Sequence, residues 1–408
     1  MNPRFSGLQA YPFERLNALL DGITTNPDLP IIPLSLGEPK HDAAGFLLDQ
    51  YANREALAGA LGTYPVTRGL PELRNAIAAF TTHRFELDGV DADTQVLPVN
   101  GTREALFAFA QVVLDPTRPS ITLMPNPFYQ IYEGAAFLGG STPHYVACTE
   151  KHAFSPDFTT IDAEIWDAVS LVYLCTPGNP TGRVMSIDEL IYLIELSDRH
   201  NFVLASDECY SEIWFDAPPV SILSACQALG RHDYANCVAF NSLSKRSSLP
   251  GLRSGYAVGD AALIEAFLLY RTYHGSAMPA HNQALSASAW SDESHVGANR
   301  DLYRAKFEAV LPILTDHFKV DWPDAGFYLW PRVDHLVADS GDVTPDEAFT
   351  TALFAEQAVK VVPGSYLSRT GDDGVNPGHG RVRLALVAPV EECVAAAKRI
   401  ATFAARHS

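Results

Sequence analysis

The stretch Ser242–Tyr256, SLSKRSSLPGLRSGY, is the one from which the rest of the chain can be read. It follows the apolar run Cys237–Phe240 (CVAF), so Lys245 stands just past a buried strand, where a doubly wound sheet opens its ligand crevice. Lysine is scarce here, seven in 408 residues, and this one lies among the hydroxyl residues Ser242, Ser244, Ser247 and Ser248. Pro250, Gly251, Arg253 and Gly255 follow at short intervals. The hydroxyls and the guanidinium can hold a dianionic phosphate, and the glycines let backbone come close. A partly desolvated amine can bond covalently to an aldehyde. A phosphorylated aldehyde is therefore the ligand these groups describe, and pyridoxal 5'-phosphate has both functions.

The same stretch resembles the cofactor-lysine signature of the class I/II (fold type I) aminotransferases, with serine three residues before the lysine and arginine eight after it. A surface lysine in a Ser/Gly/Pro loop is the plain alternative, and agreeing motifs elsewhere disfavour it. The resemblance implies an α/β fold with a large domain over residues 46–298 built on a mostly parallel seven-stranded sheet. Residues 299–408 and part of an N-terminal arm, 1–45, then make a small α+β domain. It further implies pyridoxal 5'-phosphate as cofactor, amino acids and oxo acids as substrates, and a homodimer.

Bulk properties agree. With 47% hydrophobic and 19% charged residues, the chain can bury a large core, and its length suits two or three domains. A net charge of -19 argues against nucleic acid and anionic membranes as partners, since both need a basic footprint. The opening MNPRFSGLQAYPFERLNALL lacks a basic head followed by an apolar core, and no apolar run reaches bilayer length. The six cysteines form no CxxC pair and fit reduced core thiols in a cytoplasmic enzyme. The histidines show no metal-binding spacing, so no metal is expected.

Taken in order, residues 11–22 suit a short amphipathic helix, and Ile31–Pro39 reads as a strand entering a turn. By resemblance, Gly37 in that turn lies beside the substrate carboxylate; a glycine needed for its backbone angles is an equal reading. Thr63–Phe80 becomes helical after Pro71, a residue suited to the first helical position. The family's tyrosine at this point reaches the cofactor phosphate of the other subunit, a role that falls to Tyr64, with packing on its own domain as the alternative. Thr94–Leu114 is a strand, a small-residue turn and a helix, so Gly101, Thr102 and Arg103 make a phosphate cradle at a helix N-terminus. Ile121–Gly140 repeats the scheme. There Tyr129 resembles the aromatic that covers the cofactor ring, with Tyr132 and Phe128 as rivals.

Leu171–Ser186 is a continuous apolar strand ending in NPTG, Asn179–Gly182, which matches the family loop whose asparagine meets the cofactor's phenolic oxygen and borders the substrate. Phe202–Phe215 gives another buried strand with Asp207 at its carboxyl end and Tyr210 three residues on. A carboxylate facing the pyridine nitrogen keeps it protonated, and the protonated ring is the electron sink. Tyr210 pairs with the ring oxygen by resemblance; a capping aspartate before a helix is the plain reading of Asp207. Ala261–Ala289 reads as helix broken at Gly275–Pro279, where Arg271, Tyr273, His274 and Ser276 could contact distal substrate groups.

Arg383, in RVRLALV, matches the family arginine that clasps the substrate α-carboxylate, for which only a guanidinium offers a planar fork. Arg381, two residues away on the same expected strand face, competes for the role. Within the family, LPVNGTREALFAFAQ, NPFYQIYEGAA, SDECYSEI and LLYRTYHG are similar to the succinyldiaminopimelate aminotransferases of lysine biosynthesis. Arg68, Arg103 and Arg271 could meet the extra carboxylates of such a substrate, or be solvated surface residues.

Overall fold

The computed structural model describes residues 2–337, 341, 343–371 and 374–407. Seven strands form the principal sheet: β1 Val96–Val99, β2 Ile121–Asn126, β3 Thr142–Ala147, β4 Val169–Cys175, β5 Val203–Asp207, β6 Cys237–Ser242 and β7 Gly255–Gly259. Their spatial order is β1-β7-β6-β5-β4-β2-β3, and β7 alone runs antiparallel to its neighbours. This is the mostly parallel seven-stranded sheet that the family resemblance implies.

The central strands read as unbroken apolar runs because both faces are covered. In β4, Val172 and Leu174 face one core and Leu171 and Tyr173 the other; in β6, Cys237 and Ala239 alternate with Val238 and Phe240 in the same way. One core is closed by the helices Pro71–Arg84, Ile187–His200, Ile222–Ala228 and Ala280–Ser291, the other by Thr102–Val113, Gln130–Gly139 and Ala261–His274. Pro71 occupies the first helical turn as anticipated, and Gly275, at φ +82°, makes the break after His274.

A third core gathers residues from both halves of the chain. Ile32–Pro33 pairs in parallel with Val359–Lys360, while Val362–Pro363, Val382–Ala385 and Tyr328–Leu329 form an antiparallel set. The helices Ser294–Leu314, Pro345–Gln357 and Val390–His407 pack over these strands, with Cys393, Ala397, Ile400 and Ala404 buried on one face of the last, as the spacing predicts. Cys209, Tyr210, Ile213 and Phe215, from the loop after β5, enter the same core. That loop thus fixes the carboxyl end of β5 against the C-terminal layer.

Two features differ from the sequence reading. Edge strand β3 alternates exposed or half-exposed residues, Thr142 and His144 among them, so it lacks the apolar run by which its neighbours are recognised. The helix that the sequence suggests over Asn299–His317 begins five residues earlier and ends at Leu314.

Candidate active site

The carboxyl ends of β1, β2, β4, β5 and β6 open on one side of the sheet, onto a cleft of about 560 Å³. Register sets Cys175, Asp207 and Phe240 side by side at this edge. Gly37, Thr102, Arg103, Tyr129, Asn179, Asp207, Tyr210, Ser244, Lys245, Arg253 and Arg383 all line the cleft. Because β7 is antiparallel, its beginning lies at the same edge, which is why Arg253, just before it, meets residues that follow the other strands.

Lys245 lies on a one-turn helix, Leu243–Arg246, that starts as β6 ends. Its Nζ is 5.8 Å from the centre of the Tyr210 ring, and no hydrogen-bond or ion-pair partner meets it among the described residues. Ser242 does not line the cleft. Its Oγ accepts from the Ser244 N–H at 3.1 Å and lies 2.9 Å from both Ser244 Oγ and Ser254 O, so it caps the turn that presents Lys245.

Asp207 is 5% exposed. One carboxylate oxygen accepts from Tyr132 Oη at 2.7 Å and the other from the Cys209 N–H at 3.3 Å. Burial pushes its carboxyl above the usual range, opposed by the bonds from Cys209 and Tyr132 and by the charge of Lys245. No cation stands within ion-pair distance of it among the described residues. A carboxylate held in the interior without a counter-charge is costly unless a cation joins it.

At the other end of the cleft, Gly101 caps the helix Thr102–Val113 with φ +81°, and no side chain caps its first N–H groups. A Cβ at Gly101 would stand 2.2 Å from an Arg253 nitrogen, so the glycine serves both the turn and the guanidinium. Among the described residues Arg253 bonds only backbone oxygens, Pro250 at 2.8 Å and Asn100 at 3.3 Å, and no carboxylate there pairs with its charge. Thr102 Oγ1 is engaged with Cys209 Sγ at 3.0 Å, so the backbone of Thr102 is its free donor.

Among the three aromatic rivals, Tyr129 faces the cleft and its hydroxyl accepts from Arg103 Nε at 2.8 Å. Tyr132 is buried on Tyr173 behind Asp207, and Phe128 stacks on Tyr145. The two arginines separate as well. Arg381 precedes the strand and pairs with Glu150 at 2.5 Å, whereas Arg383 enters the cleft. Arg383 is 4% exposed, donates to Asn179 Oδ1 at 3.1 Å and to Ser35 O at 2.8 Å, and its Nε has no partner. The Tyr328 ring lies 4.5 Å beneath its guanidinium.

Tyr328 and Tyr132 were not singled out by the sequence for these positions. The Tyr328 hydroxyl lies 3.0 Å from that of Tyr210, and burial with this neighbour holds the Tyr210 phenol well above its usual pKa. Gly37 is explained by the same residue, because a Cβ there would fall 1.9 Å from Tyr328 Oη. Gly37 also lines the cleft, as expected by resemblance, together with Arg383. Tyr11, Pro12 and Phe13 also line the mouth. Arg271 is removed as a distal contact: it is fully buried in an ion pair with Glu104. Arg68 donates to the Asp93 carbonyl and does not line the cleft. Tyr64 is 100% exposed and Tyr273 88% exposed, so neither packs on its own chain.

A family model for class I and II aminotransferases matches residues 30–400. The chain is 46% identical to an aminotransferase from Neisseria meningitidis whose crystal structure superposes with a TM-score of 0.91, covering 98% of this chain and 99% of that one. It is 32% identical to a probable aminotransferase of Mycobacterium tuberculosis over 97% of this chain and 86% of the relative. An LL-diaminopimelate aminotransferase of Dehalococcoides mccartyi is 29% identical, covering 91% of each chain. This chain belongs to the class I and II aminotransferases. Its cofactor is accordingly pyridoxal phosphate, and its substrates are amino acids and oxo acids.

Proposed function

We propose that the protein transfers the amino group of N-succinyl-L,L-2,6-diaminopimelate to 2-oxoglutarate, giving N-succinyl-2-amino-6-oxopimelate and glutamate, a step of lysine biosynthesis. The observation that carries the site assignment is one cleft holding an unpartnered amine, a buried carboxylate without a counter-charge and a buried guanidinium without a carboxylate. Both ends of the cofactor fit these groups. The uncapped N–H groups at Thr102, the Ser244 hydroxyl and the Arg253 guanidinium suit a phosphate dianion, with Gly101 leaving room and Arg103 flanking. Asp207 suits a protonated ring nitrogen.

When bound, pyridoxal phosphate supplies an aldehyde carbon that amines can bond and a protonated ring that accepts an electron pair. Lys245 Nζ would hold that carbon covalently between turnovers and, once freed by the substrate amine, would take the proton from the substrate Cα as general base and deliver it as acid to the cofactor carbon. Asp207 keeps the ring nitrogen charged. Tyr210 and Asn179 would donate to the ring oxygen, and Tyr129 would cover the ring and exclude water. Arg383, cushioned on Tyr328, grips the substrate α-carboxylate with both arms, while Gly37 leaves Tyr328 the space to do so. Ser242 acts through Ser244, by capping the turn.

Arg383→Lys tests the grip. A lysine retains the charge and loses the planar fork, so KM for the amino donor should rise about 30-fold or more, the cost of about 2 kcal/mol for an imperfectly paired buried charge. An unchanged KM would remove Arg383 from the substrate site.

The succinyl-diaminopimelate specificity is supported by the motifs named above and by the diaminopimelate aminotransferase among the relatives. A coupled assay with succinyldiaminopimelate and 2-oxoglutarate, run beside aspartate, alanine and aromatic amino acids, tests it. A higher kcat/KM for any of the common amino acids would replace this substrate with another in the same family. The homodimer belongs to this reading, with Tyr64 completing the partner's phosphate site; its complete exposure in one chain supports that role. Sedimentation should give a dimer, and a fully active monomer would dispose of it. The division into residues 46–298 and a smaller unit from 299–408 and part of 1–45 is supported by the separate apolar cores. A cytoplasmic setting is supported by six free cysteines, five of them buried.

A further inference from the structure

Asn299, on the helix Ser294–Leu314, is 7% exposed, and its Nδ2 donates to the carbonyl oxygens of Lys245 at 3.0 Å and Arg246 at 3.1 Å. These carbonyls end a one-turn helix and have no further turn to accept from. With both amide protons spent there, Oδ1 is the acceptor facing His41 Nδ1 at 2.7 Å, and the proton of that contact belongs to His41. His41 Nε2 is then a lone pair, met by Lys306 Nζ at 2.6 Å. Lys306, 2% exposed, also donates to Val387 O at 3.1 Å. Donation therefore runs one way, from ammonium to imidazole to carboxamide to the backbone of Lys245. Ser248 Oγ ties the far side of the same turn to His41 O at 2.9 Å.

We propose that Asn299, His41 and Lys306 form a positioning relay that holds the turn bearing Lys245, and that the relay works only while His41 is neutral. This rests on Lys245 being the cofactor lysine. Geometry sets the pH sign. A second proton on His41 would remove the acceptor for Lys306 and set two cations together, so alignment is lost on the acid side. Loss of a proton from Lys306 leaves an amine that still donates, so the alkaline side is spared. Burial pulls His41 below the usual histidine range, the bond to Asn299 opposes this, Lys306 adds to it and Asp42 opposes it. Burial brings Lys306 to about 8, with Cys393 of the last helix raising it and Lys40 lowering it. The Tyr303 ring, 4.5 Å from that of His41, is the remaining wall.

The test uses Asn299→Ala, His41→Phe, which keeps a ring against Tyr303, and His41→Gln, whose amide can donate to Asn299 and accept from Lys306 without titrating. Three quantities are measured: kcat and KM across pH, the pH midpoint of the cofactor's visible absorption band in the holoenzyme, and amide hydrogen exchange over residues 243–249. Asn299→Ala and His41→Phe should lower kcat about 10- to 100-fold with KM nearly unchanged, as expected for a misplaced reacting group. They should also shift the band's midpoint and speed exchange in the turn, whereas His41→Gln should recover most of kcat and lose the acid-side fall. Should Asn299→Ala fail to fold, the two His41 variants carry the comparison. Unchanged kcat, midpoint and exchange in His41→Phe would overturn the relay. A Lys245→Ala control separates the two failures. If its band persists, the lysine assignment falls and the relay with it; if the band needs Lys245 but ignores His41 and Asn299, only the relay falls.

Discussion

Lys245→Ala should stop multiple turnover, with kcat falling about 10,000-fold or more, because one substitution removes both the covalent hold and the group that moves the Cα proton. The structure makes this side chain hard to replace. It projects from a one-turn helix into the cleft with no competing partner, and the turn is capped from behind by Ser242. Its rigid seat means that a neighbouring amine cannot swing in, since the other cleft cations, Arg103, Arg253 and Arg383, are guanidiniums. Borohydride reduction of the holoenzyme followed by peptide mapping checks the assignment chemically. A folded protein whose Lys245 peptide stays unmodified, or a Lys245→Ala variant with normal steady-state rate, would refute it.

Asp207→Asn should cost about 1,000-fold in kcat/KM, the equivalent of about 4 kcal/mol for a buried ion pair broken by removing one partner. The same substitution should not destabilise the cofactor-free protein, and this split distinguishes a functional carboxylate from a structural cap. The sign follows from linkage. Burial raises Asp207 above the ordinary carboxyl range in the fold, so its contribution to stability is lost as pH rises from that range through the raised value. Asparagine removes the penalty. Thermal unfolding of the apo forms at neutral pH should therefore give the variant a midpoint equal to or above that of the parent. A large fall in apo stability would return Asp207 to the role of a cap.

The sheet was legible where burial on both faces leaves an unmistakable record. Leu171–Cys175, Phe202–Ala205 and Cys237–Phe240 are apolar without interruption, and each is followed by small or polar residues. Edge strand Thr142–Ala147, where Val146 alone is buried, leaves no such record. The helices Gly45–Tyr51 and Arg54–Leu61 went unread because they are short and almost wholly exposed. Within the cleft, residues that follow a strand could be placed from the chain alone, because the strand aims them. Tyr328 and Phe13 could not, because they arrive through packing between distant segments. The arginines show the same division. Whether a guanidinium is free depends on a carboxylate that sequence spacing does not announce: Glu104 takes Arg271 and Glu150 takes Arg381, across 167 and 231 residues respectively.

The reversed seventh strand has a mechanical corollary. Since β6 leads out to Lys245 and β7 leads back from Arg253, the amine and the guanidinium sit on one loop whose two stems are hydrogen-bonded to each other from Val238–Gly259 to Ser242–Gly255. Fraying of that pair would displace both side chains in a single event, so the two share one local stability.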